Sequence, residues 1–152
     1  MFDLSTTPAS QHACDAGYEF EAQYPDGTPS GVRLRVCGPE STAARAYSAR
    51  RYREIQAREM AARRAGREAD PPGADELEEQ MIDLASTYTL GWSGILDGGV
   101  PLECNTESKR RLYRLHPWLR AQAVAEAQRL GNFIRPSRAS CSSTPVPSSL
   151  ST

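Results

Sequence analysis

The sequence predicts a mainly α-helical protein with an N-terminal β-hairpin, an α+β chain in which a helical hairpin and short C-terminal helices precede a disordered tail. Three observations carry that expectation. Tyr18, Phe20, Ala22 and Tyr24 alternate with Glu19, Glu21 and Gln23, and Val32, Leu34 and Val36 alternate with Arg33 and Arg35, the period of two that a half-buried strand requires. From Thr42 to about Ala65 the chain is rich in alanine, arginine and glutamate, all good helix formers. Beyond Ile134 it collapses into serine and proline, with too little apolar surface to offset the entropy of ordering.

Taken in order, residues 1–16 are polar, contain Pro8 and show no periodicity, so they read as a flexible arm. The cluster Pro25-Asp26-Gly27-Thr28-Pro29-Ser30-Gly31 is a turn between the two strands. Glutamates on one arm and arginines on the other face each other across the polar side, each pair worth a few tenths, ~0.2–1 kcal/mol. Gly38-Pro39-Glu40 ends the hairpin, and Ser41 is placed to cap the long helix. That helix has only a thin apolar stripe, and eight arginines lie between Arg45 and Arg67 against Glu54 and Glu59. The sign then flips: Glu68, Asp70, Asp75, Glu76, Glu78, Glu79 and Asp83 have no basic residue among them.

Asp70-Pro71-Pro72-Gly73 breaks the helix. A second one runs from about Asp75 to Tyr88, with Leu77, Met81, Leu84, Ala85 and Tyr88 on one face. An antiparallel pair, basic arm against acidic arm, is the simplest use of the charge asymmetry. Further on, Asn105 or Thr106 caps a helix over 107–115 that His116-Pro117 stops. The last helix runs from Pro117 or Trp118 to Leu130, with Gly131 as its C′ residue. The domain organisation that follows is an arm over 1–16, one domain over 17–134 and a Ser/Pro-rich tail over 135–152.

The totals bound function. Hydrophobic residues make up 39% and aromatics 7% of the 152 residues, so the core is modest and a partner would help stabilise it. Net charge is −1, which argues against a general affinity for nucleic acid or membranes. No segment approaches the roughly 20 apolar residues of a membrane span, and Met1-Phe2-Asp3-Leu4-Ser5 does not resemble the start of a secretory signal. Cys14, Cys37, Cys104 and Cys141 form no Cys-x-x-Cys pair, which suits reduced thiols in a cytoplasmic protein. His12 and Cys14 have no second pair to complete a metal site. Asp97-Gly98-Gly99 lacks the lysine and hydroxyl of a phosphate loop. Neighbouring Glu78 and Glu79 sit on a solvated helix start, away from any acid–base partner. No catalytic, cofactor-binding or metal-ligating constellation emerges, and an enzyme is not expected.

The most informative stretch is Leu90-Gly91-Trp92-Ser93-Gly94-Ile95-Leu96-Asp97-Gly98-Gly99-Val100-Pro101-Leu102, joined by Leu130-Gly131-Asn132-Phe133 about thirty residues later. Asp-Gly and Gly-Gly supply the positive φ of tight hairpin turns, so Trp92–Leu96 and Val100–Leu102 are expected as short arms folding back on each other. Trp92 would cover the ends of neighbouring helices, making the segment a clasp. Trp92, Trp118 and Phe133 admit two roles, core residues that knit the clasp to the last helices or exposed anchors for a partner. The core role is the favoured one for Trp92. Binding, to another protein or to further copies of the chain, is the one function class the residues support by themselves.

This segment in its setting resembles the tail assembly chaperone family of long-tailed bacteriophages. The residues that carry the resemblance are Trp92, Gly94, Ile95, Asp97, Gly99, Pro101 and Leu102, then His116-Pro117-Trp118-Leu119, then Asn132-Phe133. Their order and spacing are the signal, densest over 84–134 and looser over 17–67. Where the family often has an aromatic after Pro-Leu-x, this chain has Cys104.

The resemblance implies a helical chaperone that binds the tape measure protein, keeps it soluble and helps recruit tail tube protein during tail morphogenesis. It further implies action in the host cell cytoplasm and absence from the mature virion. A programmed ribosomal frameshift near the end of such genes often yields a longer second product. The alternative from a different class is a structural minor tail or head–tail connector protein of the virion. A nucleic-acid regulator using the Arg45–Arg67 helix is disfavoured by the acidic segment that follows it and by the scarcity of aromatics.

Overall fold

A computed structural model describes residues 2–135. The expected tail beyond that point lies outside the described residues. Helices predominate, and a small antiparallel sheet is built around the N-terminal hairpin.

Residues 10–16 correct the expectation of a flexible arm over 1–16, because they form a helix, α1 (Ser10–Ala16), fixed to the body. Cys14 is fully buried, its carbonyl accepts from the Gly38 amide at 3.0 Å, and Asp15 accepts from the amide and hydroxyl of Thr42. These partners lie more than twenty residues away, so no local pattern announces the helix.

Strands β1 (Tyr18–Gln23) and β2 (Pro29–Val36) pair antiparallel, with Tyr18 opposite Val36 and Phe20 opposite Leu34. The strand β2 starts three residues before Val32, where regular alternation begins, because an irregularity at Ala22 lets Ser30 reach back to the Ala22 carbonyl. On the polar face Arg33 pairs with Glu19 at 2.9 Å, while Arg35 turns instead to the Ala16 carbonyl. A third strand, β3 (Thr89–Ser93), adds to β2 and sets Trp92 opposite Leu34. Phe20, Leu34 and Trp92 thus form one apolar row across three strands. Residues expected as an arm of the clasp are therefore an edge of the main sheet.

Helix α2 (Thr42–Arg64) is capped by Ser41, whose hydroxyl accepts from the Ala44 amide, and helix α3 (Ala74–Tyr88) follows the Pro-Pro break. On α3 the core face is Ile82, Ala85 and Tyr88, whereas Leu77 and Met81, expected inside, are 47% and 40% exposed. The helix is rotated from the most apolar stripe so that Ile82, Ala85 and Tyr88 enter the core, which leaves its carboxylates facing guanidinium groups. Those groups come mainly from the last two helices, α4 (Thr106–Leu115) and α5 (Pro117–Gln128). Arg110 pairs with both Glu79 and Asp83, Arg114 with Glu79 at 2.9 Å and Arg120 with Glu78 at 3.4 Å. The Arg114 and Arg110 guanidinium groups hold the Glu79 carboxyl below its ordinary range. Between α2 and α3 one ion pair, Arg58–Glu76 at 2.7 Å, and the Tyr47 hydroxyl donating to the Gln80 carbonyl are what remain of the expected basic-against-acidic seam.

The core lies between the sheet and the α3–α4–α5 layer, with Leu34, Val36, Ile82, Tyr113, Leu119 and Ala123 at its centre. Asn105 caps α4 by accepting from the Ser108 amide. Helix α5 does not run to Leu130 with Gly131 as a positive-φ terminator. It ends at Gln128, a 3-10 turn spans Leu130–Asn132, and the Asn132 side-chain Nδ2 donates to the carbonyl and carboxylate of Glu126. Cys14 and Cys37 are buried and Cys104 half-buried, all as free thiols. Burial raises the pKa of each, which makes them poor nucleophiles. Cys141 lies outside the described residues.

Candidate functional site

The segment after β3 turns at Gly94 and forms a miniature hairpin, β4 (Leu96–Asp97) and β5 (Val100–Pro101). Gly98 and Gly99 have φ of +60° and +82°, as a two-residue type I′ turn requires. The Leu102 amide donating to the Ile95 carbonyl at 2.9 Å extends the ladder by one bond. Two side chains fasten this hairpin. The Trp92 indole Nε1 donates to the Leu102 carbonyl at 2.8 Å, and Asp97 pairs with Arg111 of α4 at 2.7 Å. The Arg111 guanidinium lowers the pKa of the Asp97 carboxyl. The hairpin, shorter than the expected pair of arms, closes onto α4.

Between the hairpin, the start of β2 and the α4–α5 corner lies an apolar groove made of two adjoining hollows. One, of about 180 Å³, is lined by Ile95, Leu96, Asp97, Leu102, Arg111, Leu112, Leu115 and His116. The other, of about 250 Å³, is lined by Tyr24, Ser30, Val32, Gly94, Ile95, Leu96, Leu112, His116, Trp118 and Leu119. Leu96 and Leu115 stand open at its rim, 63% and 62% exposed. Trp118 is half-buried, tilted against Tyr24 with ring centroids 5.4 Å apart and edge-on to His116 at 6.3 Å.

Of the residues singled out in the sequence, Gly94, Ile95, Asp97, Leu102, Trp118 and Leu119 line the groove. Trp92, Gly99 and Pro101 shape or fasten its hairpin wall. Asn132 and Phe133 are not part of it. Phe133 packs at the opposite end of β1, edge-on to Tyr18 at 6.2 Å and against Gly38. What the sequence reasoning missed is the α4 wall: Leu112 and Leu115, three apart on one face, together with Arg111. That i, i+3 spacing was the available signal.

The groove offers apolar side chains, one imidazole and an ion pair that is already closed, a chemistry suited to holding apolar side chains of another chain. Among the described residues no group of three or more His, Cys, Asp or Glu side chains is placed to hold a metal ion, and no helix is long and apolar enough to cross a membrane. No protein-family model matches the chain, and neither a curated protein nor a solved structure shows significant similarity to it.

The two tryptophans have different mechanical roles, which makes them separable. Trp92→Ala removes a core contact and the indole bond to Leu102, and is expected to cost about 3 kcal/mol. Trp118→Ala, at the rim, is expected to cost about half as much because its site collapses or fills with water. Urea denaturation of both variants measures the difference; equal losses would contradict this assignment.

Proposed function

We propose that this chain is a tail assembly chaperone of a long-tailed bacteriophage, acting in the host cell cytoplasm by binding and performing no covalent chemistry. Its partner is the tape measure protein, which it keeps soluble, and it helps recruit tail tube protein before leaving the particle. The observation that carries this proposal is that the segment bearing the resemblance, Trp92 to Leu102 with Trp118 and Leu119, forms the wall and floor of a solvent-open apolar groove. Such grooves seat helices through side chains three and four residues apart. A modest core and a long, barely buried α2 agree with a protein completed by its partner.

The test is co-expression with the tape measure protein of the same phage. Alone, that protein is expected in the insoluble fraction; with this chain it is expected to stay soluble and to be recovered with it in a pull-down. Leu115→Glu, in the open groove, should abolish that recovery while the variant itself remains folded. Mass spectrometry of purified virions should not find the chain. Stoichiometric presence in particles, with co-expression making no difference to solubility, would instead establish the structural minor tail or connector role. A longer product from a ribosomal frameshift would appear in infected cells as a second species sharing the N-terminal peptides.

A further inference from the structure

A second surface, separate from the groove, lies on α2. Every residue from Tyr52 through Ala61 is exposed, although this is the longest element of the fold. The side of α2 turned to α3 is marked by Tyr47, Arg51, Arg58 and Ala62, and at 3.6 residues per turn the far side carries Arg45, Tyr52, Gln56, Met60 and Arg63. Tyr52, Met60 and the flanking Ile55 are 65%, 51% and 45% exposed. The helix holds seven arginines against two glutamates. Arg50, Arg51 and Arg58 find carboxylates, whereas Arg45, Arg53, Arg63 and Arg64 make no ion pair among the described residues. Most acids of α3 are already taken, because Arg110, Arg114 and Arg120 hold Glu79, Asp83 and Glu78 and Arg58 holds Glu76, leaving Asp75 alone without an ion pair among the described residues.

We infer that the far face of α2 docks an acidic amphipathic helix of another protein, its apolar side chains on Tyr52 and Met60 and its carboxylates on Arg53 and Arg63. The charge complementarity selects this occupant over the alternatives. A second copy of this chain presents only one unpaired carboxylate on α3, Asp75, among the described residues, too few to match four arginines. A nucleic-acid backbone would leave the exposed apolar side chains of Tyr52 and Met60 unused, whereas an amphipathic helix covers them. At a rise of 1.5 Å per residue α2 offers a platform about 34 Å long, enough for several turns of a partner.

The full-length chain is titrated with two synthetic helical peptides of about 24 residues, matched to α2 in length, each with a leucine stripe and flanked in one case by glutamates and in the other by lysines. A DNA duplex is titrated in parallel. The glutamate peptide is expected to bind and to weaken as salt rises, with the dissociation constant raised about tenfold or more in R53E/R63E. A Tyr52→Ser, Met60→Ser double variant should weaken it comparably, while Trp118→Ala in the groove leaves it unchanged. All these side chains except Trp118 lie on an exposed helix face, so circular dichroism is expected to show the α2 variants folded. Failure of the glutamate peptide to bind, equal binding of the lysine peptide, preferential binding of DNA, or parent-like affinity in R53E/R63E would each overturn the inference. Because the probes are synthetic, the outcome is independent of whether the tail protein is the partner at the groove.

Discussion

Replacing Tyr113 by alanine is expected to cost about 3–5 kcal/mol, a large part of the ~5–15 kcal/mol that holds a domain folded. Tyr113 is the largest fully buried side chain and sits where α4 meets α3 and β3. Thr89 donates to the Ala85 carbonyl at 2.7 Å, so the Tyr113 hydroxyl is the donor in the bond it shares with Thr89. Tyr113→Phe keeps the ring and loses that bond, a change worth about 1 kcal/mol near neutral pH. The two variants also differ from the parent in alkali. Burial pushes the Tyr113 hydroxyl up to about 12 from its ordinary 10.0, against a smaller opposing effect of Thr89. Below pH 10 both folded and unfolded chains carry the proton and stability is undiminished. As pH rises from about 10 to about 12 the unfolded chain loses the proton first, so roughly 2–3 kcal/mol is lost across that window. Urea denaturation at intervals of pH should show this decline in the parent and a shallower one in Tyr113→Phe, with Tyr47 and Tyr88, also raised by burial, supplying the remainder. An unchanged slope in Tyr113→Phe would show that the tyrosine does not govern the alkaline limit.

The second large effect is expected at Gly94, the corner between β3 and the groove hairpin. Its φ is +79°, and a Cβ there would fall on the Gly31 carbonyl oxygen, deep inside contact distance. That oxygen is main chain of β2, two residues before the first pair with β3, so relief requires moving backbone rather than turning a flexible side chain. Positive-φ strain of about 1–2 kcal/mol adds to a backbone clash of about 1–3 kcal/mol, so Gly94→Ala should cost about 3 kcal/mol or more and displace the groove wall. Gly99, at φ +82° with nothing within 4 Å of the added carbon, provides the contrast. Gly99→Ala carries the strain alone, about 1 kcal/mol. Equal losses in the two variants would remove the steric argument.

The contrast between those glycines shows what was legible in the chain and what was not. Both were recognisable as turn residues, because positive φ is a local demand. The clash at Gly94 depends on Gly31, more than sixty residues away, and nothing local encodes it. The same division runs through the fold. The β1–β2 hairpin follows from alternation, and the caps at Ser41 and Asn105 from short polar side chains three residues before the amides they satisfy. The helix α1 and the strand β3 were not legible because Thr42 and β2, their partners, are distant in sequence. On α3 the apolar stripe through Leu77 and Met81 misled, because the sheet and α4–α5 take the neighbouring face through Ile82, Ala85 and Tyr88, which only tertiary packing decides. In the groove, the hairpin and Trp118 were legible from residue order, whereas the i, i+3 pair Leu112 and Leu115 marked a face of α4 without showing what it lines.

The Gln122 side chain bonds both the amide and the carbonyl of Gln23, at 2.9 and 2.7 Å. In effect a single glutamine imitates one residue of a neighbouring strand, and it does so on β1, an outer strand of the sheet. Any foreign segment trying to zip onto that margin would have to evict the amide and lift α5 with it. Edge-to-edge growth of this sheet into larger aggregates is thereby opposed at the margin beside α5. In a cell crowded with copies of the chain, that glutamine acts as a guard on polymerisation as well as a tether between layers.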